Sequence, residues 1–298
     1  MEIRPAEYPP LAANVEQAPP AQVADALRFD KGDDFARIDT RATPGFHGGK
    51  TEGREAHVLD NEVLGDLQER LFANALTGTA EKSLLVVLQG RDSAGKGGVV
   101  KHVVGALSPH GVHVAAFGVP TAEESAHHFL WRVYRELPRY GHVGVFDRSH
   151  YEDILAARMH GLVSREVWEG RYDEINEFEE GLAANGTEIV KIMLTISKEE
   201  QAERLGDRLV RQDKHWKFSR SDIEDRERWD EYTEAFQDVL DRTSKRNAPW
   251  YVVPADRKWY SRWAVVRILI HHLEKLGLDW PEGDFDPMAE MERLLRTM

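Results

Sequence analysis

The chain predicts an α/β protein in which a five-stranded parallel sheet lies between two layers of helices. Three observations carry this. Five short runs rich in β-branched and apolar residues, SLLVVLQG, VHVAAFGV, HVGVFD, EIVKIMLTI and PWYVVPAD, are separated by stretches of helical periodicity. The runs are apolar throughout instead of alternating, as expected of strands covered on both faces. The first of them ends in QGRDSAGKGG, where a strand breaks into a glycine-rich turn and then a helix.

Taken in order, residues 1–25 read as a proline-rich arm with no assigned chemistry, followed by a single domain over 26–298. TPGFHGGK, ending at Lys50, reads as a surface turn. In LGDLQERLFANAL, Leu64, Leu67, Leu71 and Phe72 recur at i, i+3, i+7 and i+8, which predicts a helix. Strand and helix then alternate to the fourth apolar run. Between the fourth and fifth runs lies a charged helical insertion, about 198–245, too polar to belong wholly to the core. A lid would be built there. The helix SRWAVVRILIHHLEKLG and a short acidic tail close the chain.

Composition excludes several chemistries. The chain has no cysteine, so disulfides, zinc–thiolate sites and thiol nucleophiles are absent. A net charge of −13 argues against general nucleic-acid binding, and any polyanionic ligand needs a local basic patch. No uncharged apolar stretch has the length of a membrane span; WAVVRILI carries Arg267. The first residues lack the basic start and apolar core of a secretory signal. A cytoplasmic protein without membrane or nucleic-acid partners is expected. The pairs His127–His128 and His271–His272 lack metal-ligand spacing and read as packing, as do Trp168, Trp229 and Trp263 at helical positions.

GRDSAGKGG nearly spells the phosphate-binding loop GxxxxGK[ST]. Gly90, Ser93, Ala94, Gly95, Gly97 and Gly98 would present backbone N–H groups to an anion, and Lys96 would reach the phosphates. Gly97 stands where a Ser or Thr hydroxyl normally meets a metal, so an oxygen elsewhere must serve. Asp92 is the nearest anionic candidate, although an aspartate there also suits an Asx turn. A second carboxylate is expected at a neighbouring strand end, and HVGVFDRSHYED supplies Asp147, which could equally cap the following helix. Arg148 beside it offers a bidentate fork for a transferring phosphoryl group.

With GRDSAGK and FDRSHYED placed, the chain resembles the polyphosphate kinase 2 family. The likeness runs from about Thr43 to Ile270, through PTAEESAHHFLWR, VWEGRYDEINEFE, HWKFSRSD and APWYVVPADRKWYSR. It implies a P-loop kinase-like three-layer sandwich with a helical lid, and phosphoryl transfer from inorganic polyphosphate to ADP and AMP, the reverse reaction included. It also implies dependence on Mg²⁺, with Mn²⁺ as a substitute, adenine nucleotides with guanine nucleotides as alternatives, and a homo-oligomer, dimer or tetramer. On that likeness Asp92 and Asp147 organise metal, Lys96 is the loop lysine and Arg148 the clamp.

The lid segment Lys198–Arg220 carries seven Lys/Arg against five Asp/Glu. Arg204, Arg208 and Arg211 at i, i+4 and i+7 would share a helix face, whether as solvated surface or against an anion. The match of RLGDR and WKFS favours Arg208 and Lys217 as phosphate contacts, with Arg204 and Lys214 alongside. Where relatives commonly have Asp-Pro, this chain has Arg211-Gln212, which removes a helix stop and leaves the lid helix's length open. Glu152 in SHYED marks the branch that also accepts nucleoside monophosphates and would hold metal with Asp153; an exposed helix-starting glutamate is the plainer alternative. Two other functions stay open: an ATP-dependent nucleoside monophosphate kinase, which Gly97 disfavours, and a non-catalytic nucleotide- or polyphosphate-binding protein.

Overall fold

The computed structural model describes residues 17–298. The strands are β1 Ser83–Gly90, β2 Val112–Ala116, β3 Val143–Asp147, β4 Thr187–Thr195 and β5 Trp250–Pro254, all parallel, in the order β2-β3-β1-β4-β5. The helices are α1 Pro20–Leu27, α2 Lys50–Leu76, α3 Lys96–His102, α4 Ala122–Ser125, α5 Trp131–Tyr134, α6 Glu152–Met159, α7 Arg165–Ala184, α8 Lys198–Val210, α9 Ser221–Glu227, α10 Trp229–Thr243, α11 Lys258–Lys275 and α12 Pro287–Leu295. Among the described residues no helix is long and apolar enough to cross a membrane.

Alternate residues of β1 feed two cores. Leu84, Val86 and Leu88 pack with Val190, Ile192 and the α11 residues Trp263, Val266 and Ile270; Leu85 and Val87 pack with Phe146, Met193, Trp250 and the α6, α7 and α10 side chains. Each such side chain contributes about 1.5–3 kcal/mol on burial. Strands β1, β3, β4 and β5 are covered on both faces, as their apolar runs predict. β2 departs from this: of the two edge strands, β2 and β5, it alone has exposed side chains, His113, Val114 and Ala116.

Of the arm expected at residues 1–25, mobile or wrapped over the body, residues 1–16 lie outside the described residues, and the rest packs against the body through α1. Pro20 occupies the first turn of α1, where its missing N–H costs nothing, and Val23, Ala24 and Leu27 are buried against α11. The acidic tail carries α12, whose residues are all exposed. α8 stops at Val210 although no proline follows: Arg211 is extended at φ −92°, ψ 112° and pairs with Asp213 at 2.9 Å.

A polar network crosses the second core. Lys191, in the middle of β4, is fully buried; its Nζ donates to Glu179 Oε2 at 2.6 Å, Tyr151 Oη at 2.9 Å and the Thr243 carbonyl at 2.8 Å. Glu179 Oε1 accepts from Tyr151 at 2.8 Å and meets His150 Nε2 at 3.1 Å. The network ties β4, α7 and α10 to the segment following β3.

Candidate active site

β1 is flanked by β3 and β4, so the chain leaves it first toward one edge of the sheet and later toward the other, and a crevice opens beyond its C-terminal end. The loop after β1 is tightly specified. A Cβ at Gly90 would sit 2.5 Å from the Leu194 carbonyl, and Gly90, Ser93 and Gly95 have φ of 146°, 66° and 120°. Ala94 is buried beneath the loop, and the Ser93 hydroxyl is buried without a protein partner. Lys96 folds back over the loop, donating to the carbonyls of Gly90 at 2.6 Å and Arg91 at 3.3 Å. Burial lowers the Lys96 pKa, opposed by the charges of Asp92, Asp147 and Glu152.

The β1–β3 register places Asp147 opposite Leu88, and Arg148 then donates its backbone N–H to the Leu88 carbonyl at 3.0 Å. Arg148 Nη2 donates to Asp92 Oδ1 at 2.6 Å. Among the described residues, Ser93 and Arg148 are the two non-glycine residues with positive φ, at 66° and 64°. Both belong to this site. Each such residue stores about 1 kcal/mol or more, which the surrounding structure must offset. Burial raises the Asp92 pKa, but Lys96 and Arg148 outweigh it and hold the carboxyl below its ordinary range. Burial would lower Arg148, yet Glu152 and Asp92 keep its pKa above the ordinary value. Glu152, at the start of α6, has its carboxyl pKa raised above the ordinary value by burial, despite Arg148 and Lys96. The Gln89 amide, in the orientation that satisfies both its ends, donates to Glu152 Oε1 at 3.1 Å and accepts from Ser149.

Asp92, Asp147 and Glu152 all lie close enough to Lys96 and Arg148 to act on their charges. Such a rim suits a divalent cation held by one or two carboxylates and completed by phosphate oxygens. Among the described residues no three His, Cys, Asp or Glu side chains converge to cage an ion by themselves. Asp153 leaves the set. Its Oδ2 accepts from Arg132 at 2.8 Å and its Oδ1 lies 3.9 Å from Arg171, and a carboxylate neutralised by two guanidinium groups is a poor cation ligand.

Beyond Arg148 opens a cavity of about 950 Å³ bounded by Gln89, Asp92, Glu152 and Asp153, by Phe117, Phe129, Leu155 and Val163, and by Arg208 and Lys217 from the segment between β4 and β5. Arg208 Nη1 donates to the Lys217 carbonyl and to Asp222 Oδ2, each at 3.0 Å. Two other expected phosphate contacts lie elsewhere. Lys214 is half-buried and lies outside the cavity, 3.7 Å from Asp213. Arg204 is buried: its guanidinium donates to the carbonyls of Ser93 at 2.9 Å, Ala94 at 2.8 Å, Ala255 at 2.5 Å and Asp256 at 3.2 Å, and to Glu200 at 2.7 Å. The three-arginine face therefore does not form, since Arg204 turns to the loop, Arg208 to the cavity and Arg211 lies past the helix end. Arg204→Ala strands those carbonyls, so a loss of about 2–4 kcal/mol in stability and a lower kcat are expected from denaturant unfolding and initial rates. An unchanged unfolding midpoint would contradict this role.

Several contributors escaped the sequence. Arg91 lies 3.8 Å over the Trp229 ring and donates to Trp229 and Thr233, so this half-buried tryptophan ties the loop to α10 and does not belong to the core. Gln201 donates to the Asp92 carbonyl at 3.0 Å. Arg132 and Arg171 stack over Phe117 and Phe129 at 5.5 and 4.8 Å. Their only sequence signal was their place within HHFLWR and EGRYDE. His272 packs as expected, bonded to Tyr251 and Glu188.

A family model described as polyphosphate kinase 2 matches residues 51–279. An AMP/ADP-polyphosphate phosphotransferase of Meiothermus ruber is 45% identical over 251 residues, covering 84% of this chain and 92% of that protein. An ADP-polyphosphate phosphotransferase of Rhodopseudomonas palustris is 38% identical over 261 residues, covering 84% and 88%. The crystal structure of polyphosphate kinase 2 from Arthrobacter aurescens TC1 superposes with a TM-score of 0.90 at 46% identity, covering 96% of this chain and 99% of that one.

Proposed function

Since the chain belongs to the polyphosphate kinase 2 family and is a polyphosphate-dependent nucleotide phosphotransferase, we propose that it phosphorylates AMP as well as ADP, with Mg²⁺ as its cation. The observation that carries AMP acceptance is the Glu152 carboxylate, oriented by Gln89 and lining the same cavity as Asp92 and Arg148. An AMP acceptor is one phosphate shorter than ADP, so its attacking oxygen must reach deeper toward the loop. A carboxylate at that depth, with Asp92 and Asp147, would hold a cation that neutralises phosphate charge when bound.

The chain's own residues do the rest. Arg148, preset by its αL backbone and the Asp92 contact, neutralises the transferring phosphoryl group. Lys96 swings from the Gly90 and Arg91 carbonyls to the donor phosphates. Arg208 and Lys217 close the far side of the cavity. The nucleotide is positioned against its aromatic and arginine walls, and transfer of this kind needs placement and charge neutralisation more than a nucleophilic side chain. Adenine is the expected base, guanine an accepted alternative, and a dimer or tetramer the expected assembly.

The test is the ratio of kcat/KM for AMP to that for ADP, with long-chain polyphosphate and Mg²⁺. Wild type should make ADP from AMP and ATP from ADP, and Glu152→Asn should lose the AMP reaction by at least about tenfold more than the ADP reaction. Equal losses, or a wild type that ignores AMP, would refute the role of Glu152.

A further inference from the structure

We propose that α12 pairs antiparallel with α12 of a second copy of this chain about a two-fold axis, which makes the last helix an assembly element separate from the catalytic body.

The sequence specifies this helix locally and leaves it unsupported. Asp286 caps it, accepting from the Met288 and Ala289 N–H groups at 2.9 and 3.4 Å, and Pro287 opens it. Arg296, Thr297 and Met298 prolong its last turn by donating to the Glu292, Leu294 and Leu295 carbonyls. Yet helices shorter than about 12–15 residues are marginal in water without packing, and α12 has nine. None of its residues is buried and neither core contains one. It also lies beyond residues 51–279, which carry the family likeness.

What it lacks is a cover for its apolar face. Met288, Met291, Leu295 and Met298 stand at i, i+3, i+7 and i+10, the seam spacing of a two-stranded coiled coil, and each is at least half exposed. Leu294 borders the seam, and Trp280 and Phe285, also more than half exposed, extend the apolar surface ahead of the helix. Residues 280–298 number nineteen, close to the roughly 20–30 a side that a standard interface of about 800 Å² per partner takes.

Charge selects the occupant and its direction. At about 100° per residue, Glu292 and Arg296 lie together on one flank of the seam, Leu294 and Glu290 on the other. Antiparallel helices related by a two-fold axis set each flank against its own copy. Met288 then meets the partner's Met298, Met291 the partner's Leu295, Leu294 its own counterpart and Glu292 the partner's Arg296, each contact occurring twice. A parallel pair would instead set the flank of Glu292 against the partner's Leu294 and Glu290. Within one chain Glu292 and Arg296 are exposed and 3.5 Å apart, so both can join a four-charge cluster. A membrane surface fits less well. Asp279, Glu282, Asp284 and Asp286 precede the helix with no cation among them, whereas helices that lie on anionic lipid carry Lys and Arg on their polar face.

The pairing also spares the site. The Asp279 carbonyl accepts from Asn74 at 2.9 Å and Arg70 lies 5.9 Å over the Trp280 ring, so the chain departs for α12 from the end of α2 that precedes β1. The phosphate loop follows the opposite end of β1.

The test is the assembled mass of the full chain by analytical ultracentrifugation across protein concentration, with kcat as a control. Met291→Glu/Leu295→Glu should raise the dissociation constant of one assembly step by at least about a hundredfold and leave kcat unchanged. Glu292→Arg and Arg296→Glu, each alone, should weaken that step roughly tenfold, and an equimolar mixture of the two should recover it, because only in the mixture do opposite charges meet. Recovery on mixing is an effect between chains that a frayed helix cannot produce. The chain has no cysteine, so co-expressed Met291→Cys and Leu295→Cys chains should oxidise to a disulfide-linked pair containing one of each. Unchanged assembly in the double variant, no recovery on mixing, or disulfides joining Met291→Cys chains to each other would overturn the proposal. So would a wild type that stays monomeric at high concentration or binds anionic vesicles as a monomer.

Discussion

Replacing Asp92 by Asn should leave the fold intact and lower kcat by roughly two to four orders of magnitude, because electrostatic stabilisation is the largest catalytic contribution in phosphoryl transfer. An Asn Oδ1 can still accept from Arg148, whose Nη2 lies 2.6 Å from Asp92 Oδ1, so the clamp keeps its place. What disappears is the negative charge that Lys96 and Arg148 hold ionised. Without it nothing in the loop replaces the hydroxyl that Gly97 lacks, and two cations face each other across it. Circular dichroism and single-turnover rates separate folding from chemistry. A kcat within about a factor of two of wild type would remove Asp92 from the reaction.

Lys191→Met should cost about 3–5 kcal/mol of folding stability, since it leaves the Glu179 carboxylate buried without its cation. Met fills similar volume, so the effect is electrostatic more than steric. Its pH dependence follows from Glu179. Burial pushes that carboxyl up, but Lys191 and His150 outweigh it, so the wild-type pKa lies below the ordinary carboxylate value. The wild-type contribution is therefore present above the unfolded pKa of about 4.3 and lost as pH falls through the folded one. In the variant burial prevails and the pKa rises, so the deficit is greatest at neutral pH and shrinks on acidification. Urea midpoints at two pH values test this; a pH-independent deficit below about 1 kcal/mol would contradict it. Because His150 and Tyr151 lie two and three residues after Arg148, the folded variant should also lose kcat.

The five strands and the loop were legible because apolar runs and glycine spacing are local signals, carried whole by SLLVVLQG and GRDSAGKGG. The exposed β2 was not, because its run VHVAAFGV is as apolar as its neighbours', and which of the two edge strands the helices leave uncovered is not a local signal. Pro19 and Pro20 read as an arm, mobile or wrapped over the body, because proline signals irregular backbone; that Pro20 starts a helix with Val23 and Leu27 buried is visible only from packing. Asp92, Asp147, Arg148 and Glu152 were found from two motifs and are brought together by strand register. Arg204 shows the limit of periodicity, which says which residues share a helix face but not whether they meet an anion or a carbonyl. Lys191 lay in plain sight within EIVKIMLTI, but its partner Glu179 is on another element.

The placement of β1 at the centre of the sheet also orders the protein's birth. Its hydrogen-bonding partners are residues 143–147 on one side and 187–195 on the other, and α1 waits for α11 near the far end of the chain. A nascent chain emerging from the ribosome carries the phosphate loop long before the strands that shape it, and contacts this distant in sequence assemble slowly. The catalytic centre is consequently among the last features to acquire its form, so a prematurely released fragment holds the whole GRDSAGKGG signature and none of its geometry.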